Sequence, residues 1–214
     1  MKPKYIAYLI ITIAIIIFIS VLKFEILRTN YLGNITAEAL GVSIELLVVI
    51  FVLDRWRKNE ELYRKIKMER RLREFLIFYL KKNFDAYPPS CQSGDFYGCD
   101  YEQNQEALGR LIVRIEECDI SNIDAVKIRS YCKEQKDFFY NLLPVASELS
   151  NDHFKSWNRI TYFMNAISSE SEDVTFSTIK ILQHIKIFDH ASFSKKLYVG
   201  AHDSCFLGLR KICV

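Results

Sequence analysis

The stretch "ITAEALGVSIELLVVIFVLDRWRKNEELYRK", Ile35 to Lys65, decides how this chain is read. It begins apolar and ends as a basic, water-seeking helix, with no Gly or Pro after Gly41. Two glutamates, Glu38 and Glu45, stand inside the apolar part. Seven residues of helix turn through about 700°, nearly two full turns, so both carboxylates fall on one face. Gly41 lies on or near that face, and with Ala37 four residues earlier it permits close helix approach.

Working outward, Tyr5 to Leu22 reads "YIAYLIITIAIIIFISVL", eighteen residues without a charge, Gly or Pro. That is about the minimum for crossing a hydrocarbon layer of roughly 30 Å. A cleavable signal peptide would also start with basic residues such as Lys2 and Lys4. Its apolar core should be shorter, roughly 7 to 15 residues, and end in a small-x-small site. The segment instead runs into "KFEILRTN", so a retained anchor is expected.

The second segment, Ile35 to Leu53, is less apolar. Its large side chains supply roughly −3 to −5 kcal/mol of insertion energy, and one central acid costs roughly +2.5 to +3.5. Insertion is marginal alone and plausible beside the first helix. After Leu53 come nine cations, Arg55 through Arg73, whereas the connecting segment carries Lys23 and Arg28. By the positive-inside rule both termini are then expected in the cytoplasm of an inner-membrane protein.

The expected fold class is all-α: an N-terminal transmembrane hairpin over 1–54, with helices over about 5–24 and 34–54, then a helical stalk over 55–84. A loop over 85–100, marked by Pro88, Pro89, Gly94 and Gly98, leads to a cytoplasmic helical domain over 101–214. An unbroken helix from Asn34 to Asn83 would run roughly 75 Å. Within the stalk, Leu62, Ile66, Glu69, Leu72, Leu76 and Leu80 fall near heptad spacing.

Beyond the loop, apolar periodicity predicts four helices. Ala107, Leu108, Leu111, Ile112 and Ile115 mark the first, and Phe138, Phe139, Leu142 and Leu143 end the second. Phe154, Trp157, Ile160, Phe163, Met164 and Ile167 mark the third, and Val174, Ile179, Leu182, Ile185 and Phe188 the fourth. Ser121 is an expected N-cap, as is Ser150 or Asn151. Leu197 to Val199 and Cys205 to Val214 read either as short helices or as a small hairpin. Such a set of helices is enough for a bundle that buries its own core.

A carboxylate at mid-membrane must be neutralised, paired, or turned toward a partner helix or wet cavity. One reading makes Glu38, Gly41 and Glu45 a pore or oligomer face, where copies of the chain gather their acids around a shared axis. The other makes Glu45 a protonated packing contact to Ser20 or a backbone carbonyl, with Glu38 reaching the headgroups. Arg55, Trp56, Arg57 and Lys58 are expected interface anchors, and the basic run serves either topology or anionic-lipid contact. Its interspersed acids, Glu60, Glu61 and Glu69, argue against direct nucleic-acid binding.

No catalytic, metal or cofactor site is expected. His153, His184, His190 and His202 make neither an HExxH pattern nor a tight pair on one helix turn, which favours surface or cap roles. Phosphate loops and nucleophile elbows are absent from the sequence. The six cysteines include Cys91/Cys99 and Cys205/Cys213, each pair with seven residues between, which fits no short zinc pair. Most are expected as small core or loop residues.

At "EALGVSIELLVVIFVLDRWRKNEE", Glu38 to Glu61, the sequence resembles the membrane module of two-transmembrane effectors in bacterial anti-phage defence systems, including retron-associated ones. Glu38, Gly41, Asp54 and Arg55 match that pattern, and Glu45 departs from it. The resemblance implies a non-enzymatic, toxin-like effector acting in abortive infection. In it a homo-oligomeric hairpin permeabilises or depolarises the inner membrane, under control of a cytoplasmic domain that meets an inhibitory or sensing protein or nucleoprotein partner. The alternative is a membrane-tethered adaptor whose helical bundle recruits or senses a protein partner.

Overall fold

Nothing interrupts helical propensity between Gly41 and Lys82, and the chain uses that freedom in one long helix, α1, over Tyr31–Asn83. The computed structural model describes residues 20, 31–92 and 101–198, with α1 side chains from Gly41 onward. Five further α-helices follow: α2 (Tyr101–Cys118), α3 (Asn122–Asn141), α4 (Leu143–Leu149), α5 (Asn151–Ser168) and α6 (Val174–Ser194). A 3-10 turn, Pro89–Cys91, stands between α1 and α2. No strand occurs among the described residues, and the all-α expectation holds.

Contacts divide the chain into two units, 1–60 and 61–214. In the first, the described part of α1 exposes its apolar side chains. Val42, Ile44, Leu46, Val48, Phe51 and Leu53 all lie open, Phe51 at 74%. The transmembrane hairpin is corrected here. Among the described residues no helix is long and apolar enough to cross a membrane, which overturns the inner-membrane placement with both termini cytoplasmic. The apolar part of α1 carries two acids, Glu38 and Glu45. Asp54, Arg55, Arg57 and Lys58 end the run at once. The expected first membrane helix, 5–24, lies outside the described residues apart from Ser20.

In the second unit the expected stalk is not a separate element. Leu72, Leu76, Ile77, Tyr79, Leu80 and Phe84 are buried in the same core as α2 to α6. The near-heptad stripe was therefore the core face of a bundle helix, with Leu62 still exposed and Ile66 half-buried before the core begins.

The centre of the core is aromatic. Phe139 stacks on Trp157 at 5.1 Å between centroids, and Phe75 meets Phe139 edge-on. Phe188 closes the group against Trp157. The indole N–H of Trp157 donates to the Phe139 carbonyl at 2.8 Å, so this buried side chain leaves no donor unpaired. The expected α2 face, Ala107 to Ile115, is buried throughout. Phe138 and Phe154, by contrast, point outward and Phe139 and Trp157 take the core positions.

Helix ends follow their sequence signals. Ser121 accepts from the Asp124 N–H at 3.1 Å, and of the two candidates for the α5 cap it is Ser150 that accepts, from His153 N–H at 3.4 Å. At the C-terminus of α6, Leu197 N–H donates to Ser192 O at 2.9 Å and Lys196 N–H to Phe193 O at 3.0 Å, with Lys196 at φ 58°. This is a Schellman turn built without glycine. It buries Leu197 and turns the next residue, Tyr198, back onto the bundle. Cys205 to Val214 and His202 lie outside the described residues.

Replacing Trp157 by Ala removes the largest fully buried side chain. Urea unfolding followed by far-UV circular dichroism should show a loss of about 3 to 5 kcal/mol. A loss under about 1 kcal/mol would place the core elsewhere.

Candidate functional site: a buried ion cluster and an uncovered apolar helix

Among the apolar positions of the second unit sit three charged side chains that are almost wholly enclosed: Glu69 at 1%, Arg73 at 4% and Asp189 at 1% exposure. Arg73 Nε donates to Glu69 Oε1 at 2.8 Å, and its terminal nitrogen reaches the same oxygen. The other terminal nitrogen donates to Asp189 Oδ1 at 2.7 Å. Glu69 and Arg73 are one turn apart on α1, whereas Asp189 is on α6. One guanidinium thus ties two helices across the core, using the fork geometry that Lys lacks.

Asp189 collects two more donors. Gln105 of α2 donates from Nε2 to Oδ2 at 2.8 Å, and the same nitrogen reaches Lys186 O at 3.1 Å. The Tyr198 hydroxyl, delivered by the Schellman turn, donates to Oδ1 at 2.5 Å. The Tyr198 ring also lies under the guanidinium, 4.2 Å from centroid to Arg73 Cζ. Burial alone would push the Arg73 pKa down; the Glu69 carboxylate and then Asp189 overcome this and hold it raised. Burial, aided by Asp189, likewise raises the Tyr198 hydroxyl, which therefore stays a donor.

Toward the exposed edge, Tyr101 stacks on Phe193 at 4.1 Å and its hydroxyl meets His190 Nδ1 at 2.7 Å. On the inner side, His153 is fully buried, with Nδ1 on Ser150 Oγ at 2.7 Å and Nε2 on Ser192 Oγ at 3.0 Å. Burial, then Lys195 and Arg73, push its pKa down to about 4 against the opposing pull of Asp152. His153 is a core residue and not the surface or cap residue expected; the cap is Ser150, whose hydroxyl the imidazole meets. His184 is half-buried and stacks near Phe163, and its pKa is lowered, first by burial.

This arrangement holds shape better than it does chemistry. Both Asp189 oxygens already accept hydrogen bonds, so Asp189 is not positioned as a free base, and Glu69 Oε1 is committed to Arg73. Among the described residues no group of three His, Cys, Asp or Glu side chains could hold a metal ion. Cys91 and Cys132 are buried thiols, the latter pushed up to about 12 by burial, and Cys118 is an exposed one.

The residues singled out in the sequence belong to the first unit's part of α1. Gly41 is open, with nothing within 4 Å of an added Cβ. Glu45 is exposed, as are Arg55, Trp56 and Arg57; Lys58 pairs with Asp54 one turn earlier. Glu38 is helical in backbone, and its side chain lies outside the described ones. Among the described side chains, none of these lines either of the two bundle grooves.

The class that these observations define is an all-α protein with an ion-tied helical bundle and a separate uncovered apolar helix segment. No protein-family model, no curated protein and no solved structure matches this chain.

Because His153 is neutral when folded and titrates near 6.5 when unfolded, the folded state loses stability as protons force charge onto it. Its contribution is complete above about pH 6.5 and falls away as pH drops toward 4, by up to about 3 kcal/mol. Unfolding measured from pH 7.5 to 4.5 should show that decline, and His153→Gln should flatten it. An unchanged slope in the variant would assign acid sensitivity to other groups.

Proposed function

We propose that this protein is a non-enzymatic, helical interaction protein whose bundle recruits or senses a protein partner, and whose apolar helix segment gathers copies of the chain. The observation that carries the reading is the uncovered run from Val42 to Leu53. Val48, Val49, Phe51, Val52 and Leu53 are each more than half exposed, with Leu47 at 37% and Ile50 at 39% less so; successive helix positions turn by about 100°, so apolar surface spreads around most of the helix.

An exposed contiguous apolar patch marks an interaction site. One partner helix would cover a single stripe, as in a two-stranded coiled coil, and leave the remainder wet. Several copies packed together cover more of the circumference, and open Gly41 lets their backbones approach. Permeabilisation is not carried into this proposal, because it requires membrane-crossing helices that the described residues do not supply.

A non-enzymatic role is supported by the pairing of both Asp189 oxygens within the cluster and by the structural use of His153. Recruitment through the bundle matches the adaptor alternative in its partner, without the tether.

Chemical cross-linking of the chain in intact cells should give a ladder beyond the dimer. Val49→Lys combined with Phe51→Lys should collapse that ladder while leaving the unfolding of the bundle unchanged, since neither side chain contributes to its core. An identical ladder in the variant would refute self-association through this segment.

A further inference from the structure

We infer that a groove on the bundle between α2, α6 and the 3-10 turn takes an acidic peptide segment of a partner protein, seating carboxylates on Lys186 and Arg114 and an apolar side chain on Val113 and Pro88. The inference deepens the recruiting role proposed above and rests on it.

The groove has a volume of about 790 Å³. That exceeds what an isolated anion fills and lies within the range of built ligand sites, about 300 to 1,000 Å³. Its floor is Gly109 of α2. A glycine inside a helix costs about 1 kcal/mol relative to Ala, and here the missing side chain is what leaves the groove open. A Cβ at this position would come within 3.4 Å of the Lys186 ammonium, so Lys186 from α6 lies across the bare backbone of α2.

Lys186 and Arg114 have no carboxylate partner among the described residues. Arg110, the third cation, is held in place: Nε donates to Ser90 O at 2.6 Å and a terminal nitrogen reaches Glu106 at 3.3 Å. The groove therefore offers two uncommitted cations beside a fixed one, next to exposed Val113 and the proline at the entrance.

The acids select among anions. Glu106 and Glu117 also line the groove, so its three cations face two carboxylates. A polyanion such as nucleic acid would meet like charges along its length, which costs affinity. A peptide that alternates carboxylates with apolar side chains can place each where it is matched. The register of the groove is set by the ion cluster. Gln105, one turn before Gly109, is bonded to both Asp189 and Lys186 O, and this fixes α2 against α6.

The test is fluorescence anisotropy on the full-length chain with a labelled peptide of alternating Glu and Leu, about eight residues long, against its Lys-Leu counterpart. The Glu-Leu peptide should bind and the Lys-Leu peptide should not, with affinity falling as salt is raised. Lys186→Glu should weaken binding about tenfold or more. Gly109→Leu is the discriminating variant: leucine favours the helix, so thermal stability should hold or rise, while its side chain fills the groove and binding should drop about tenfold or more.

Equal binding of both peptides, or undiminished binding by Gly109→Leu, would overturn the inference. So would displacement of the peptide by inorganic phosphate at comparable concentration, which would make the groove a site for a free phosphoryl group. Failure of any of these leaves the cross-linking result intact, so the groove and the self-associating helix are judged separately.

Discussion

A guanidinium enclosed among leucines and aromatics is the constraint on which the bundle depends. Taking an ion out of water costs several kcal/mol even after relaxation, so Arg73 can sit at 4% exposure only if its donors are met. Glu69 meets two of them from its own helix and Asp189 meets a third from α6. Asp189 in turn needs Gln105 from α2 and Tyr198 from beyond α6 to satisfy its oxygens. Apolar packing would tolerate several registers of α1, α2 and α6. The ion cluster tolerates one, because any slip leaves a charge unpaired in the core.

That fixed register has consequences at the surface. Gln105 and Gly109 are one turn apart on α2, and Asp189 and Lys186 are one turn apart on α6. The inner pair, Gln105 with Asp189, is hydrogen-bonded; the outer pair, Gly109 with Lys186, forms the groove floor and its cation. Buried polarity and the proposed recognition surface are thus two sides of one helix contact. The apolar run of the first unit is a different kind of surface, defined by exposed aliphatic and aromatic side chains around most of the helix. We assign it to association between copies and the groove to a partner's peptide.

Much of the fold was legible in the sequence. Periodicity gave the α2 face from Ala107 to Ile115 and most of the α5 and α6 faces, and cap chemistry marked Ser121 and Ser150. The stripe from Leu62 to Leu80 was also seen, but a long unbroken helix reads the same whether it stands alone or packs into a bundle, so the stalk expectation missed its burial. Glu69 already stood inside that stripe, and an acid at a core position is the one local sign that a buried cation must face it. Arg73 follows one turn later. Asp189 carried a similar sign, placed beside Phe188 on the apolar face of α6. What sequence could not give was their meeting, since Arg73 and Asp189 are 116 residues apart. The hairpin expectation weighted total apolar content over the two acids, Glu38 and Glu45, that interrupt it and the charges from Asp54 onward that end it. The Gly109 groove left almost no trace, because one glycine in a helix has many possible causes.

The central claim is that Glu69, Arg73 and Asp189 act as one unit whose value is specificity of packing and not net stabilisation. The most direct measurement is a set of unfolding free energies for Arg73→Met, Asp189→Leu and the triple change Glu69→Leu, Arg73→Met, Asp189→Leu. Each single change should cost about 3 to 5 kcal/mol, because it strands a buried charge, while the triple change should cost far less than the sum and approach the starting stability. Losses that simply add across the three positions would contradict the account.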